Sequence, residues 1–264
     1  MTVTVFILSL LAAMAIGMPI AYALLVCGLT LMGYLSLTSG LVTFDSQILA
    51  QRFVDGADNF PLLAVPFFML AGEFMNAGGL SRRIVNLAMA WVGHFRGGLG
   101  YVTVIAAVIM ASLSGSAVAD TAALAALLIP MMRAAGYNIG RASGLIASGG
   151  IIAPVIPPSI GFIIFGVAAN VSITKLFLAG IVPGIMLGAA LWVTWWWLAR
   201  SEVVSVPPRK SMSEIGVAMR EATWALVLPL IVVFGLKFGV FTPTEAAVVA
   251  AVYALLISLF VYKE

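Results

Sequence analysis

Apolar residues run along this chain in seven long segments, and short polar or charged stretches separate them. A helix of about 20 apolar residues crosses a hydrocarbon core of ~30 Å, so the pattern predicts a series of membrane-spanning helices. The first segment is too long for the apolar part of a signal peptide, and we expect one retained transmembrane helix there. The segments lie at about residues 3–35, 60–79, 98–132, 141–174, 176–199, 222–240 and 243–262.

Three prolines interrupt the segment 141–174, which is uncharged after Arg141, near its middle, at Pro154, Pro157 and Pro158. Proline has no N–H and clashes with the preceding turn, so these residues break the helix. Lipid does not tolerate unpaired backbone, which places the break inside protein or beside a water-filled cavity. Because broken helices bind ions and substrates in secondary transporters, the pattern indicates transport. A simple proline kink is the alternative.

Segment 98–132 is split at residues 113–116 into two arms of about 15 residues, each about 22 Å long as a helix. Neither arm comfortably spans a bilayer, whereas a re-entrant hairpin that enters and leaves on one side accommodates both. Arg96 and Arg133, at the two ends, agree with a shared entrance. One spanning helix followed by a short core helix is the alternative.

Oxygen-bearing side chains collect around the tip of this hairpin. Hydroxyl oxygens and helix-end carbonyls suit a hard cation such as Na⁺. The first N–H groups of the second arm, at the positive end of its dipole, suit an anionic group. The alternative is structural, with small residues packing the arms and serines capping the second arm. The tip residues are Ser112, Ser114, Gly115, Ser116, Asp120 and Thr121.

Asp120 is a carboxylate in an otherwise uncharged stretch, where a buried charge is unfavourable unless it is paired. It is a candidate for coordinating Na⁺, directly or through a hydrogen-bonded neighbour, or for carrying a proton. The alternative is a helix-start carboxylate that accepts first-turn N–H groups. Next to the break, Ser159 is placed to cap the following helix, and Gly149 and Gly150 permit close approach of another backbone, which we expect to be the hairpin tip.

Composition excludes an ordinary soluble domain. Hydrophobic residues make up 63% of the chain and charged residues 9%, against roughly 25% charged residues in soluble domains. The mean hydropathy is +1.17. A net charge of +3 without a long basic block gives no indication of nucleic-acid binding. The single cysteine, Cys27, predicts no internal disulfide.

Charged residues collect in the connectors and predict an orientation. The positive-inside rule places residues 80–97, 133–141 and 200–221 in the cytoplasm and 36–58 outside. Stretch 80–97 mixes arginines with apolar residues, which is typical of an amphipathic helix at the interface. Four tryptophans at the end of segment 176–199 predict an aromatic belt, with a docking face for a partner subunit as the alternative.

A short internal similarity relates the first segment to the last. Residues 19–23 resemble residues 243–247, and the predicted topology runs the two segments in opposite directions, as in an inverted repeat. If Pro243 begins a second copy, the chain holds one repeat and the first helix of another. We therefore expect the native protein to continue well past Glu264.

Five motifs, in this order, closely resemble the large permease subunit of tripartite ATP-independent periplasmic (TRAP) transporters, of the DctM type. The resemblance covers nearly the whole chain. It implies an all-α polytopic protein of the bacterial inner membrane, built of inverted repeats and working as an elevator-type transporter. The motifs are residues 61–72, 114–116, 154–159, 176–184 and 242–247.

The resemblance implies a sodium-driven importer of small organic acids, such as C4-dicarboxylates or sialic-acid-like carboxylates, with Na⁺ as coupling ion and no cofactor. Its implied partners are a small four-helix membrane subunit, a periplasmic substrate-binding protein and the lipid bilayer. Na⁺ is expected at Ser114, Ser116, Asp120 and carbonyls near Gly150–Pro154. The other implied ion or substrate residues are Ser112, Gly115, Thr121, Gly149, Pro157, Pro158 and Ser159.

Three regions follow from this resemblance. Residues 1–59 are expected to be a scaffold helix and an external connector. Residues 60–174 are expected to be the transport domain of the first repeat, with the hairpin at about 98–132 and the broken helix at about 141–174. Residues 175–264 are expected to be scaffold helices and the start of the second repeat.

Other functions agree less well with the chain. A sodium–dicarboxylate elevator carrier that needs no binding protein is the nearest alternative, followed by a channel and a non-transporting structural subunit. An intramembrane hydrolase using Ser114 or Ser116 needs a general base within hydrogen-bond reach, and His94 lies at the mouth of the hairpin. We therefore expect no enzyme activity.

Overall fold

The computed structural model describes residues 1–39, 46–200, 204 and 206–263. Within these residues every regular element is a helix, as the apolar pattern predicts. Six helical segments are long and apolar enough to cross a membrane, and two further apolar helices, Thr2–Ala15 and Gly98–Ser114, are shorter. The six are Ile20–Thr38, Phe60–Ala77, Ala117–Ala134, Ile173–Ala199, Met212–Lys237 and Pro243–Tyr262.

Residues Met1–Asn59 form one compact unit. Its helices are α1 (Thr2–Ala15), α2 (Ile20–Ser39) and α3 (Ser46–Ala57). Helix α3 lies in the stretch 36–58, which the sequence predicts to be a connector. Residues 40–45 of that stretch lie outside the described part.

The expectation of a single helix over residues 3–35 is wrong, because the chain turns back after α1. Gly17 has φ +86°, a left-handed conformation that ends a helix, and Pro19 follows it. The Ser9 hydroxyl donates to the Cys27 sulfur at 3.2 Å, and that thiol donates to the Phe6 carbonyl at 3.2 Å. Ser9 and Cys27 lie about equally far from the turn, so α1 and α2 are antiparallel.

Residues Phe60–Glu264 form the second unit. A 3₁₀ turn, Phe60–Leu63, leads into its first helix, and a π-helical turn, Ile257–Tyr262, is the last regular element of the described part. Between them the helices are α4 (Ala64–Ala77), α5 (Leu80–Val92), α6 (Gly98–Ser114), α7 (Ala117–Ala134), α8 (Ile139–Gly150), α9 (Ile160–Ala168), α10 (Ile173–Ala199), α11 (Met212–Lys237) and α12 (Pro243–Leu256).

Helix α6 lies at the centre of this unit, with most of its residues buried. It packs against α4, α5, α7, α8, α10 and α11. Helix α5 is amphipathic, as predicted, and buries one face against α6 and α11. Its placement at the membrane interface stays a prediction.

Helices α4 and α12 pack side by side in the same direction. The Thr244 hydroxyl reaches the Phe60 carbonyl at 3.4 Å, and the Ser258 hydroxyl donates to the Phe74 carbonyl at 3.0 Å. Both pairs are 184 residues apart, which requires parallel helices. The buried face of α12 is made largely of small residues, which permit close packing of membrane helices. They are Thr244, Ala246, Ala247, Ala250, Ala251 and Ala254.

The predicted aromatic belt is wrong for Trp195, which is only 1% exposed. Its indole N–H donates to the Gly97 carbonyl at 2.9 Å, and its ring covers Gly100, where a Cβ atom would lie 1.8 Å from the ring. Trp196 and Trp197 are exposed. Whether they form a belt or a docking face stays open.

The predicted polar loop 200–221 is wrong in its second half, because α11 begins at Met212. Ser211 and Glu214 form a reciprocal capping box, in which the serine hydroxyl accepts the Glu214 N–H and the carboxylate accepts the Ser211 N–H. The Ser-x-x-Glu spacing is the local signal for this start. Residues 201–203 and 205 lie outside the described part.

Candidate functional site: the junction of the hairpin tip and the proline break

Helices α6 and α7 form a hairpin whose open ends meet. The Leu99 N–H, at the start of α6, donates to the Tyr137 hydroxyl, just after α7, at 3.2 Å. This contact joins the two ends of a helical hairpin; the choice between a re-entrant hairpin and one spanning helix followed by a core helix stays a prediction. One expectation about length is wrong, since α7 has 18 residues and is long and apolar enough to cross a membrane. Entry and exit on one side of a bilayer stay a prediction.

The tip is a tight turn at Gly115, whose φ is +62°. Ser116 caps α7, with its hydroxyl accepting the Ala119 N–H at 3.4 Å. The Ser114 hydroxyl accepts the Ser116 N–H at 3.1 Å and donates to Asp120 Oδ1 at 2.6 Å. Among the described residues, no backbone N–H beyond α6 donates to the carbonyls of its last turn. The tip therefore combines carbonyls at the end of α6 with the N-terminus of α7.

The hairpin tip contacts the break, as expected. A Cβ atom built on Gly115 would lie 2.2 Å from the Pro158 carbonyl oxygen, so only glycine fits this contact. A Cβ on Gly150 would lie 1.8 Å from the Thr121 hydroxyl, and one on Gly149 would lie 3.0 Å from the Ala107 side chain. The glycines thus bring the end of α8 against both arms of the hairpin.

The break separates α8 from α9 and is largely buried. Ser159 is fully buried and caps α9 as predicted, with its hydroxyl accepting the Phe162 N–H at 3.2 Å. The same hydroxyl donates to the Pro154 carbonyl at 2.6 Å, so Ser159 closes the turn as well. Pro157 and Pro158, joined by a cis peptide bond, lie buried within it.

The junction therefore holds the N-termini of two helices, α7 and α9, within contact of each other. Each N-terminus presents unpaired N–H groups and the positive end of a helix dipole. Residues of the break also rest on α10, where Gly180 faces the Val155 carbonyl and Gly184 faces Ile156. Such helix N-termini are suited to an anionic group.

Asp120 is only 2% exposed, and its carboxylate lies against α4, α5 and α6 rather than against the break. Oδ1 accepts the Ser114 hydroxyl, while Oδ2 is buried and has no hydrogen-bond partner in the described part of the chain. No first-turn N–H of α7 reaches this carboxylate. The structure thus joins Asp120 to the tip through Ser114.

Two other predicted site residues donate hydrogen bonds to carbonyls of their own helices. The Ser112 hydroxyl donates to the Ile109 carbonyl and the Thr121 hydroxyl to the Ala117 carbonyl, each at 2.6 Å. Ser112 borders an apolar cavity of about 350 Å³ that also touches Pro157, α10 and α11. It therefore lies on the other side of the tip from the Asp120 carboxylate.

The model of the DctM component of tripartite ATP-independent periplasmic transporters matches residues 7–264. This chain belongs to that family. It is 60% identical over 264 residues to the 2,3-diketo-L-gulonate TRAP transporter large permease protein YiaN of Escherichia coli (strain K12), covering 100% of this chain and 61% of the relative.

Two further relatives extend the comparison. The sialic acid TRAP transporter permease protein SiaT of Haemophilus influenzae (strain 86-028NP) is 39% identical over 263 residues, covering 100% of this chain and 42% of the relative. The C4-dicarboxylate TRAP transporter large permease protein DctM of Pseudomonas aeruginosa is 41% identical over 230 residues, covering 87% and 54%. The chain spans less than two thirds of the length of each relative.

Membership in the DctM family confirms the resemblance seen in the sequence and makes this chain part of a multi-pass membrane permease. It also confirms that the chain belongs to a transporter family and not to a family of enzymes.

Sequence reasoning missed two polar residues in this DctM-family chain. Asn76 on α4 and Ser81 on α5 border the space beside Asp120, and the Ser81 hydroxyl donates to the Asn76 amide oxygen. Asn76 lies near the end of the apolar segment 60–79. Its position in an apolar segment was a weak signal, and only the packing of α4 on α6 brings it near Asp120.

Proposed function

We propose that this chain supplies the first repeat of the permease of a sodium-driven importer of small organic acids. The junction of the hairpin tip and the proline break carries the proposal. There, Gly115 lies against Pro158, and two helix N-termini face one small region. Discontinuous helices with N-termini at a shared point are the elements that bind anionic substrates in secondary transporters.

The coupling ion is Na⁺, held near the hairpin tip. Ser114 and Ser116 offer hydroxyl oxygens, and the last turn of α6 offers carbonyl oxygens without a backbone donor. Carbonyls in the stretch 150–154 are the further ligands of this proposal, and Asp120 acts on the region through Ser114. Hard cations prefer such oxygen ligands, and a bound cation offsets the carboxylate charge of Asp120.

The substrate is a small carboxylate. Three relatives are named for 2,3-diketo-L-gulonate, sialic acid and C4-dicarboxylates, and all three compounds carry a carboxylate. The free N–H groups at the starts of α7 and α9 suit that group. A neutral side chain, Ser116 or Ser159, caps each helix; the first turn of α9 holds no acidic residue, whereas that of α7 holds Asp120.

The assembly is tripartite, as the family description says. A small four-helix membrane subunit and a periplasmic substrate-binding protein complete it in the bacterial inner membrane. Residues 60–174 form the transport domain that moves as an elevator. Residues 1–59 and 175–264 are scaffold, and the second inverted repeat begins at Pro243. The additional length of the relatives supports a second half of the site outside residues 1–264.

Uptake by the full-length transporter tests this proposal. The transporter, with its small subunit and binding protein, is reconstituted in proteoliposomes and assayed with succinate, sialic acid and 2,3-diketogulonate. We expect uptake of one of them that needs both an inward Na⁺ gradient and the binding protein. Ser116→Ala should raise the Na⁺ concentration for half-maximal uptake.

Each of the other outcomes contradicts a different part of the proposed function. Full uptake without the binding protein identifies a carrier of the binding-protein-independent type. Uptake that is indifferent to Na⁺ removes sodium coupling. Complete inactivity with all three acids, while the relatives are active under the same conditions, favours a structural subunit.

A further inference from the structure

A groove lies where the base of the hairpin meets the end of α10. This Arg–Trp groove has a volume of about 370 Å³, within the range of small-molecule sites. The buried indole of Trp195 donates to the Gly97 carbonyl and holds α10 against the start of α6. Arginines and aromatic rings form both walls, with Phe95, Arg96 and Tyr101 on the hairpin side and Trp192, Trp196 and Arg200 on the α10 side.

The Arg–Trp groove is positively charged. The Arg96 guanidinium donates to the Arg200 carbonyl at 3.1 Å, so the two arginines meet at the groove. The guanidinium carbon of Arg200 lies 3.7 Å from the centre of the Trp196 ring. Stacking on a ring face leaves the N–H groups in the guanidinium plane, in a geometry that matches a phosphate group. None of the described residues that line the groove is acidic, so an anionic ligand complements its charge.

The groove lies at the depth of lipid headgroups. Helix α10 has 27 residues, about 40 Å at the helical rise, which exceeds the ~30 Å hydrocarbon core. Arg200 follows the last residue of α10 and therefore reaches the headgroup region when the helix spans the core. Tryptophan and tyrosine rings are enriched at the same depth.

An exposed apolar strip on α10 leads from the groove towards the hydrocarbon core. Spacings of four and seven residues place Val182, Met186, Val193 and Arg200 on one face of the helix. The three apolar side chains of this strip are between 60% and 65% exposed. A phospholipid fits both features, with its phosphate at the arginines and an acyl chain along the strip. A free anion would leave the strip uncovered.

We propose that the Arg–Trp groove binds one anionic phospholipid of the surrounding membrane. Arg200 and Arg96 bind the phosphodiester, Trp196 positions the Arg200 guanidinium, and one acyl chain lies along Val193 and Met186. Phosphatidylglycerol has the required net negative charge, whereas the ammonium group of phosphatidylethanolamine neutralises its phosphate. The lipid contacts the hairpin base and α10 together, so its binding stabilises their packing. The inference depends on neither the transported substrate nor the coupling ion.

The test uses the full-length transporter with its small subunit, purified in detergent and freed of lipid. Phosphatidylglycerol or phosphatidylethanolamine of the same chain length is titrated, bound lipid is counted by native mass spectrometry, and the Tm is measured. Inorganic phosphate and glycerol 3-phosphate are titrated in parallel to detect a site for a free anion. Arg200→Gln and Trp196→Leu alter the groove. Arg133→Gln is the matched control, because Arg133 is an exposed arginine in the last turn of α7 and does not line the groove.

We expect saturable binding of phosphatidylglycerol that raises the Tm and is roughly tenfold tighter than that of phosphatidylethanolamine, since two arginines contribute. Arg200→Gln should weaken this binding about fivefold, the usual contribution of one arginine near an anionic headgroup. Trp196→Leu should weaken it less, because the charge is kept, and Arg133→Gln should bind like the parent. With p-benzoylphenylalanine in place of Trp197, irradiation should cross-link the permease to phosphatidylglycerol.

Three results overturn the inference. Equal binding of the two lipids, unchanged in Arg200→Gln, would show only non-specific contact with the bilayer. A rise in Tm with inorganic phosphate or glycerol 3-phosphate that equals the rise with the lipid would assign the groove to a small anion. A cross-link from position 197 to the small subunit instead of to lipid would assign this face of α10 to that partner. If Arg200→Gln also lowers the Tm without lipid, the count of bound lipid by mass decides.

Discussion

Single glycines decide how closely the hairpin and the break approach each other. Gly115 combines a positive φ with a carbonyl oxygen where its Cβ would be, so two independent constraints exclude other residues. Gly144, in α8, has the opposite environment, with nothing within 4 Å of a built Cβ. Substitutions at Gly115 and Gly144 therefore distinguish the loss of close contact at the site from the general effect of replacing a glycine.

Gly115→Ala should disrupt the junction, because the new methyl group displaces the Pro158 carbonyl. We expect at least tenfold slower uptake at saturating substrate, together with a lower Tm of the full-length transporter. Gly144→Ala should leave uptake unchanged and raise the stability slightly, by about 0.5–1 kcal/mol, since alanine favours a helix interior. Similar behaviour of the two variants would contradict the role given to Gly115.

Ser159→Ala should cost more stability than an ordinary helix cap. Loss of a cap costs about 1 kcal/mol, and this substitution also leaves the Pro154 carbonyl unpaired. Ser172→Ala removes only the exposed cap of α10 and is the matched control. Unfolding midpoints of both variants in a denaturant titration measure the difference, and equal midpoints would show that the Ser159–Pro154 bond contributes nothing.

At the scale of elements, the sequence predicts what local chemistry determines. Gly115 and Ser116 mark the hairpin turn, and three prolines mark the break, because each acts on its own backbone. Contacts between residues that are distant in sequence could not be predicted from the sequence. Trp195 is buried by Gly97 and Gly100, and Asn76 reaches the space beside Asp120 only through packing of α4 on α6. The turn at Gly17 was missed because α1 and α2 are both apolar.

The contact between the break and α10 is a suitable place for a cross-link that tests the elevator mechanism. A Cβ built on Gly184 lies 3.5 Å from the Ile156 Cβ, within the range for a disulfide. In an otherwise cysteine-free transporter, Gly184→Cys with Ile156→Cys should cross-link on oxidation. If the break moves past α10, oxidation should stop uptake and dithiothreitol should restore it.

The controls are the two single-cysteine variants treated with the same oxidant. A cross-linked transporter, verified by mass, that takes up substrate as fast as its reduced form would show that the break and α10 move together. That result would remove α10 from the scaffold.

At the scale of the whole molecule, the described part of this chain contains one tip–break junction, and its relatives are longer. The proposed inverted repeat requires a second junction to complete the site. Residues 1–264 expressed alone should therefore insert into the membrane and give no uptake above background. Extension with the C-terminal part of the YiaN relative should restore measurable uptake. Uptake by residues 1–264 alone would show that one junction is sufficient.

The parallel pairing of α4 with α12 has a consequence for how the protein is made. The Phe60 and Phe74 carbonyls meet partners that are synthesised 184 residues later. At about 5–20 residues per second, α4 leaves the ribosome about 10–40 s before α12 exists. During that interval the face of α4 that α12 will cover must be occupied by lipid or by a membrane chaperone. Assembly of this unit is therefore completed late in translation, although its first helices enter the membrane early.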